Sequence, residues 1–436
     1  EPSPPANSGA VAACDFDRDG DVDVFVGSRF KVGHYPGAGE SRLYQNQGNA
    51  AFKLVTEQHA PGLSEAGAVM SAIWSDVDAD GWRDLLVATH WGPVRLWKNR
   101  EGTLVEVTEE AGLSGYQGLW NGITGGDLDN DGDIDYLVTN EGLNTSRTAP
   151  AELFRGDFLG TGTPHLIETV REDGVRLPRS GWLDLAELQP GLLEEYSSPS
   201  DFAGTGIPKL FSDEAFSKAD RYVANTLETG WFENDGAGKF IFRPLPRIAQ
   251  VATSYGAVIT DANADGRRDI WIVQNRSSAD IRQPDPENTG VSQLLVNTGR
   301  ESGRFLPLSP ELSGLLVYGP GRGAIATDLN NDDRVDLIAS IQNHEPAVFL
   351  NQFTPLRTVP LKVKVEGKGK HAAGARVTVK IEDMETQTAE YYAGGGYLSQ
   401  SPAELFFAAP KLDEVRAEVL LEWADGTRTK RTVYLK

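Results

Sequence analysis

The sequence predicts an all-β protein, an array of short antiparallel strands of the β-propeller kind, followed by a small second β domain. Three observations predict it. A nine-residue acidic loop recurs along the chain. Each copy sits between the same kinds of strand. The loops stop near residue 354, where Lys becomes frequent and a new strand pattern begins.

The first loop is DFDRDGDVD, residues 15–23. Carboxylates stand at positions one, three, five and nine. A Gly stands sixth, where a tight loop needs a residue that tolerates positive φ. Side chains at alternate positions of such a loop converge. Converging carboxylates repel one another unless a hard cation lies among them, and oxygen ligation of this kind suits Ca2+. Asp15, Asp17, Asp19 and Asp23 are then side-chain ligands, and Asp21 at position seven offers its backbone carbonyl. The second loop places Asp76, Asp78, Asp80, Trp82 and Asp84 in the same roles, and the third places Asp127, Asp129, Asp131, Asp133 and Asp135. Two later copies give Asp261, Asn263, Asp265, Arg267 and Asp269, then Asp328, Asn330, Asp332, Arg334 and Asp336. In the last, Asp333 replaces the Gly, and Asp tolerates a left-handed conformation better than most residues. The expectation is about five structural Ca2+ ions.

The residues after position nine exclude an EF-hand, which needs a bidentate Glu at position twelve and flanking helices. Position twelve here is Val26, Val87, Val138, Ile272 and Ala339, within strand-like runs such as VFV, YLV and IWIV. The ninth Asp must therefore complete the site. Repetition in one strand context separates these loops from ordinary polar turns. After each apolar strand comes a strand ending in Asn and Gly, as in RLYQNQG (42–48) and VRLWKNREG (94–102), then another strand. Units of roughly 50–60 residues with turn signals between strands indicate a propeller or a related array.

A sixth copy is degraded. Asp157 and Gly162 persist, but positions three, five and nine are Leu159, Thr161 and His165, so a turn without metal is expected. From about 181 to 229 the strand pattern gives way to helix-like segments, read as an inserted helical excursion. The sequence thus divides into a Pro/Ser-rich linker (1–8), the array (9–353) and a C-terminal β domain (354–436), where ARVTVKI, AEVLLEW and RTVYLK alternate or nearly so. The tract AGGGYLSQS (393–401) carries no GK[ST] and opens no helix, and is read as a tight β-turn.

Composition narrows the function. A net charge of −22 argues against a nucleic-acid partner. No run approaches 18 consecutive apolar residues, so no helix is expected to span a membrane. The single cysteine, Cys14, excludes an intrachain disulfide and, within AVAAC, reads as a small buried hydrophobe. The first residues carry neither Met nor a signal segment, as in a mature chain or a piece of a longer polypeptide. Millimolar extracellular calcium fills modest-affinity loops more readily than cytosolic calcium, so a secreted or extracytoplasmic setting is expected.

Residues at the ends of the strands beside each loop are candidates for a protein or glycan ligand: His90, Trp91, Trp120, Asn121, Asn140, Tyr255, Asn275, Arg322 and Asn343. Aromatic rings and amides there suit sugars. No nucleophile elbow, HExxH or other catalytic spacing is present. The leading expectation is a non-catalytic binding or adhesion module. The alternative is an enzyme on the same scaffold (a polysaccharide lyase, a glycosidase or a biosynthetic enzyme), marked by two carboxylates outside the loops with an Arg or His beside them.

The loop D-x-D-x-D-G-x-x-D with its apolar strand, followed by L-[YW]-x-N-x-G, resembles the FG-GAP/VCBS repeat of integrin-type β-propellers. GARVTV (374–379), GGGYLSQS (394–401) and WADGT (423–427) resemble the ASPIC/UnbV domain. The pairing is found in secreted proteins of the cartilage acidic protein type. The resemblance implies seven blades, with six or eight as alternatives, together with calcium binding and an extracellular setting. Where that family has a histidine and an FGLG-like turn, this chain reads LFFAAP (405–410).

Overall fold

The computed structural model describes residues 7–49, 51–276 and 290–435, so most of the expected linker lies outside the described residues. The chain forms two compact units: residues 145–227 make one, and the chain on either side makes the other.

The larger unit contains five antiparallel sheets that each begin with a strand leading into an acidic loop. The first runs in order Asn7–Cys14, Asp23–Phe30, Arg42–Asn46 and Phe52–Leu54. The second is Ala68–Ser75, Asp84–Gly92, Arg95–Arg100 and Thr103–Glu106, with Gly118–Leu119 added beside its second strand. The third is Gly122–Gly126, Asp135–Thr139, Gly230–Asn234 and Phe240–Pro244. The fourth is Ser254–Thr260, Asp269–Gln274, Gln293–Asn297 and Phe305–Leu308, and the fifth is Gly321–Thr327, Asp336–Ile341 and Ala347–Phe349. These are the blades of a β-propeller.

The first strands of consecutive blades pack side by side. Small residues allow that approach. A Cβ on Gly256 would lie 2.4 Å from the Arg322 carbonyl oxygen of the next blade. Apolar clusters fill the four gaps between consecutive blades: Leu43, Trp74 and Trp97 in the first, Leu86, Tyr136 and Phe232 in the second. Leu137, Ile270 and Leu295 fill the third, and Trp271, Val273 and Leu337 the fourth. Burial of such side chains, at about 25 cal/mol per Å2 of apolar area, is the main force holding blade to blade. Cys14 is fully buried in the first cluster, and burial pushes its thiol far above the usual range.

Among the described residues five blades are present, rather than the seven expected or the six or eight allowed. The reason lies in the third repeat. Its second strand, Asp135–Thr139, pairs with Gly230–Asn234, so the blade is interrupted and resumes only after the chain has made the other unit. The degraded copy at Asp157 belongs to that inserted unit.

The inserted unit begins at 145 rather than 181, and it is not purely helical. Its sheet runs Val175–Pro178, His165–Glu172, Ala151–Gly156, Asp220–Ala224. Short helices between Trp182 and Lys218 pack Leu185, Phe202 and Phe211 against Phe154 and Ile167. The last helix, Asp213–Lys218, starts where the Ser212 side chain accepts from the Ala215 N–H. The segment after it, expected to be helical, is the strand Asp220–Ala224. Glu152 is buried at the centre of this sheet and accepts from Arg171, Arg176 and Arg221.

The C-terminal domain pairs Thr358–Lys364 with Glu404–Pro410. It also forms a four-stranded sheet ordered Gln387–Glu390, Arg376–Ile381, Val415–Glu422, Arg428–Leu435. The tract 393–401 does turn at Tyr397 and Leu398, but it is more than a turn. It runs along the line where the first strands of all five blades converge. Ala13 N–H donates to Ala393 O (2.8 Å), Ser71 Oγ to Gly396 O (2.5 Å), and Gly396 N–H to Ile123 O (2.7 Å). The Tyr255 ring meets that of Tyr397 edge-on at 5.0 Å, and Ala326 N–H donates to Ser401 Oγ (3.1 Å). A Cβ on Gly394, whose φ is +120°, would lie 2.5 Å from Val11 O. Only glycine fits there. The same domain links the last blades to the first. Phe406 joins the cluster between blades four and five, and Ala424 joins that between blades one and two.

Candidate metal centres and the residues around them

Each acidic loop is built by its own side chains. The fourth residue is left-handed in all five (Arg18, Ala79, Asn130, Ala264 and Asn331), as is the sixth, Asp333 included at φ 64°. The first Asp accepts from the N–H of position six: Gly20 to Asp15 Oδ2 (3.0 Å), Gly81 to Asp76 Oδ2 (2.9 Å), Gly266 to Asp261 Oδ2 (2.9 Å), Asp333 to Asp328 Oδ2 (2.9 Å). The fifth residue accepts from the N–H of the seventh, as Asp131 does from Asp133 (3.0 Å). Asp21, Trp82, Asp133, Arg267 and Arg334 can all stand at position seven because the contact they share is made by the backbone N–H.

Three groups of carboxylates meet closely enough to hold a metal ion. They are Asp15, Asp17 and Asp19; Asp76, Asp78 and Asp84; and Asp127, Asp129 and Asp131, each group offering oxygens within 4.8 Å of one another. Asp15 Oδ1, Asp76 Oδ1, Asp78 Oδ1 and Asp127 Oδ1 are buried without a hydrogen-bond partner. Buried, unpartnered carboxylate oxygens are costly, and a hard divalent cation is the partner their chemistry fits. Burial, reinforced by neighbouring carboxylates, pushes Asp15 and Asp76 up to about 6 and Asp127 to about 7.

The two later loops differ. Both oxygens of Asp261 are occupied by backbone, Oδ1 by the Asp265 N–H (3.0 Å) and Oδ2 by that of Gly266. At position three Asn263 and Asn330 turn their amide nitrogens toward Asp265 and Asp332. The Lys362 ammonium pairs with Asp328. Burial opposes the charge on Asp328, but Lys362 and the backbone donors outweigh it and hold the carboxyl below its ordinary value.

The ninth Asp has a role that ligand spacing alone does not reveal. Its two oxygens join two backbone N–H groups, one from position two of its loop and one from the Asn at or just past the end of the blade's third strand. Asp269 accepts from Ala262 (3.0 Å) and Asn297 (2.8 Å), and Asp135 from Leu128 (2.9 Å) and Asn234 (3.0 Å). Asp23, Asp84 and Asp336 make the same pair of contacts. Asn99, Asn234, Asn297 and Asn351 then extend their side-chain amides to position two of the preceding loop.

Position eight was also silent in the sequence. Arg83 is buried, and it contacts Asp76 (3.1 Å), Gly374 O (2.5 Å) and Glu422 O (3.5 Å). Arg268 donates to Phe406 O and Thr388 O and lies 4.6 Å over the Phe407 ring. In return Arg376 of the C-terminal domain donates to Gly132 O (2.5 Å) in the third loop. An Arg directly before a ninth Asp (GWRD, GRRD) is the signal that could have revealed this contact.

The ligand candidates separate into groups. Trp120 and Asn140 are fully buried. Trp120 packs on Phe232 and Phe242, and Asn140 accepts from the backbone of Leu119 and Glu141, so neither faces a ligand. Asn121 and Asn275 are buried too, donating to Ser254 O (2.9 Å) and Gly319 O (3.1 Å). His90 contacts Asn121 (3.0 Å), Trp91 donates to Tyr35 (2.9 Å), and Asn343 is exposed. Tyr255 and Arg322 come together: the guanidinium lies 4.2 Å over the ring. Both stand where their strands begin, at the edge of the propeller opposite the acidic loops.

Loops, blades and C-terminal domain together define a class. The chain carries FG-GAP-like repeats, matched over residues 15–87 and 76–138, and an ASPIC and UnbV domain, matched over 365–433. Among curated proteins it is distantly homologous to cartilage acidic protein 1 of Xenopus tropicalis, at 27% identity over 296 residues. The match takes in 64% of this chain and 41% of that protein, so the chain spans well under half the length of the relative.

Proposed function

We propose that this protein is a calcium-stabilised extracellular propeller that binds a protein or glycan at the edge opposite its acidic loops, with calcium structural. The calcium reading rests on the buried, unpartnered oxygens of Asp15, Asp76, Asp78 and Asp127. The binding reading rests on one observation. The tract 393–401 runs along the propeller axis, and beside its tip Arg322, Tyr255, Tyr397 and Arg29 form a continuous stack. Arg322 covers Tyr255, Tyr255 abuts Tyr397, and Arg29 donates to the Tyr397 hydroxyl (3.3 Å). Paired guanidinium and aromatic faces suit sugar rings and acidic peptide groups.

The enzyme alternative gains little from the same region. A cavity of about 100 Å3 beside the tract is lined by Arg268, Glu390 and Glu404. That is the composition an acid/base site would need, but Arg268 is engaged with Phe406 O and Thr388 O, and Glu404 with the Thr327 hydroxyl and the Asp328 N–H. Glycan-array and pull-down screening, followed by affinity measurement on Arg322→Ala and Tyr255→Ala, tests the binding reading. The expected result is at least a tenfold loss in each variant. Undiminished binding in both would place the ligand elsewhere.

A further inference from the structure

We propose that the loop 328–336 takes no metal ion and is closed instead by a cation of the chain itself, the ammonium of Lys362.

Lys362 lies on Thr358–Lys364 of the C-terminal domain, outside the propeller sequence. Its ammonium contacts Asp328 Oδ2 and Asp333 Oδ1, the latter at 3.1 Å. The Lys362 side chain is 9% exposed and that of Asp328 is 0% exposed, so the pair is enclosed. The carboxylate is also fully used. Oδ1 accepts from the Asp332 N–H (3.1 Å), and Oδ2 accepts from that of Asp333 as well as from Lys362. Among the described residues no buried side-chain oxygen of this loop lacks a partner, whereas Asp15, Asp76 and Asp127 each keep one.

Two further features point the same way. A second cation, Arg334, pairs with Asp332 at position five. Position three is Asn330, whose amide nitrogen donates to Asp332 (2.8 Å), which turns a donor toward the place where a metal would need an acceptor. A divalent ion entering this loop would meet two positive groups and find its first ligand already paired.

The second loop shows what a displaceable lysine looks like. Lys98 reaches Asp78 and, at 3.7 Å, Asp80, but its side chain is 27% exposed and can swing to solvent. Asp76 Oδ1 and Asp78 Oδ1 remain unpartnered there despite it. Lys362 is more enclosed, its side chain 9% exposed.

The fifth blade is therefore fastened to the C-terminal domain by an ion pair that needs no metal. Calcium bound per folded chain is counted by equilibrium dialysis and native mass spectrometry, for the parent and for Asp328→Asn, Asp332→Asn and Asp129→Asn. The expected result is one ion fewer in Asp129→Asn and an unchanged count in the other two. Loss of one ion from a folded Asp328→Asn or Asp332→Asn protein overturns the proposal. Asp332 is only half-buried, which keeps the test open if Asp328→Asn does not fold. Separately, Lys362→Met lowers the melting temperature in both loaded and chelated protein. A melt unchanged by that substitution overturns the proposal as well.

Discussion

The side-chain amide of Asn297 leaves its own blade and donates to the carbonyl of Leu128, the second residue of the preceding acidic loop, at 2.8 Å. The same nitrogen also donates to Arg268 O (3.1 Å), and Oδ1 accepts from Gly299 N–H (3.0 Å). One fully buried amide thus closes its own turn and ties two blades together.

Replacing it should be expensive. Asn297→Ala or Asn99→Ala leaves several buried groups unpaired, and a loss of about 2–4 kcal/mol is expected for each in urea or thermal unfolding. Asn46 is the internal control. Its amide nitrogen donates to Val22 O and its oxygen accepts from the Gly48 N–H, both within its own blade, and the residue is half-buried, so Asn46→Ala should cost clearly less. Equal losses at all three sites would show that the contact between blades adds nothing.

Metal removal should loosen the whole propeller. One ion at 100 times its Kd adds roughly 2.7 kcal/mol, and three Asp groups lie close enough to hold one each. Melting after exhaustive dialysis against EDTA is expected to fall markedly, and recovery on adding Ca2+ is expected to be complete. An unchanged curve would sink the structural-calcium reading. Asp129→Ala should remove one ion and spare the rest.

The effect of pH should change sign with metal. In chelated protein Asp15, Asp76 and Asp127 titrate at about 6 to 7, above their unfolded values, because burial disfavours the charge. A raised folded pKa contributes stability that is fully present below the unfolded pKa and lost as pH rises through the folded one. Chelated protein should therefore melt higher at about pH 5.5 than at about pH 7.5. Loaded protein should do the opposite, because protons compete with calcium for the same oxygens. Melting curves in the two states that move together with pH would contradict this.

Docking of the C-terminal domain should depend on Gly394 and Arg268. Gly394→Val places a side chain against Val11 O and Ala12, and Arg268→Met removes two buried contacts to that domain. Both are expected to raise amide exchange along 393–401 and in the first strands of the blades. Protection equal to that of the parent protein would mean that the tract is dispensable.

The blade unit was legible because its parts are local. Strand, DxDxDG loop and strand follow one another within roughly twenty residues, and alternation and turn residues mark them. The clusters at Asp15, Asp76 and Asp127 were legible for the same reason. Blade number was not, because the third blade is completed by Gly230–Asn234 after a detour, and pairing between distant strands leaves no periodic trace. Trp120 and Asn140 misled for a different reason. Their residue types suit a ligand, but burial decides whether they can meet one. The role of Arg83 and Arg268, the passage of 393–401 through the axis and the Lys362 contact with Asp328 depend on a domain that begins well after the loops it touches.

The position of that glycine tract also sets a timetable. Ser71 and Gly396, which share a hydrogen bond at the axis, are 325 residues apart in the chain. At about 5–20 residues per second of synthesis, the second blade waits on the order of 16–65 s for its axial partner to be made. During that interval the Gly- and Ala-rich strands that converge there have nothing between them. The propeller therefore cannot reach its final packing as a nascent N-terminal fragment. A chain stopped short of the tract would lack the axial hydrogen bonds that Ala13, Ser71, Ile123 and Ala326 make with it.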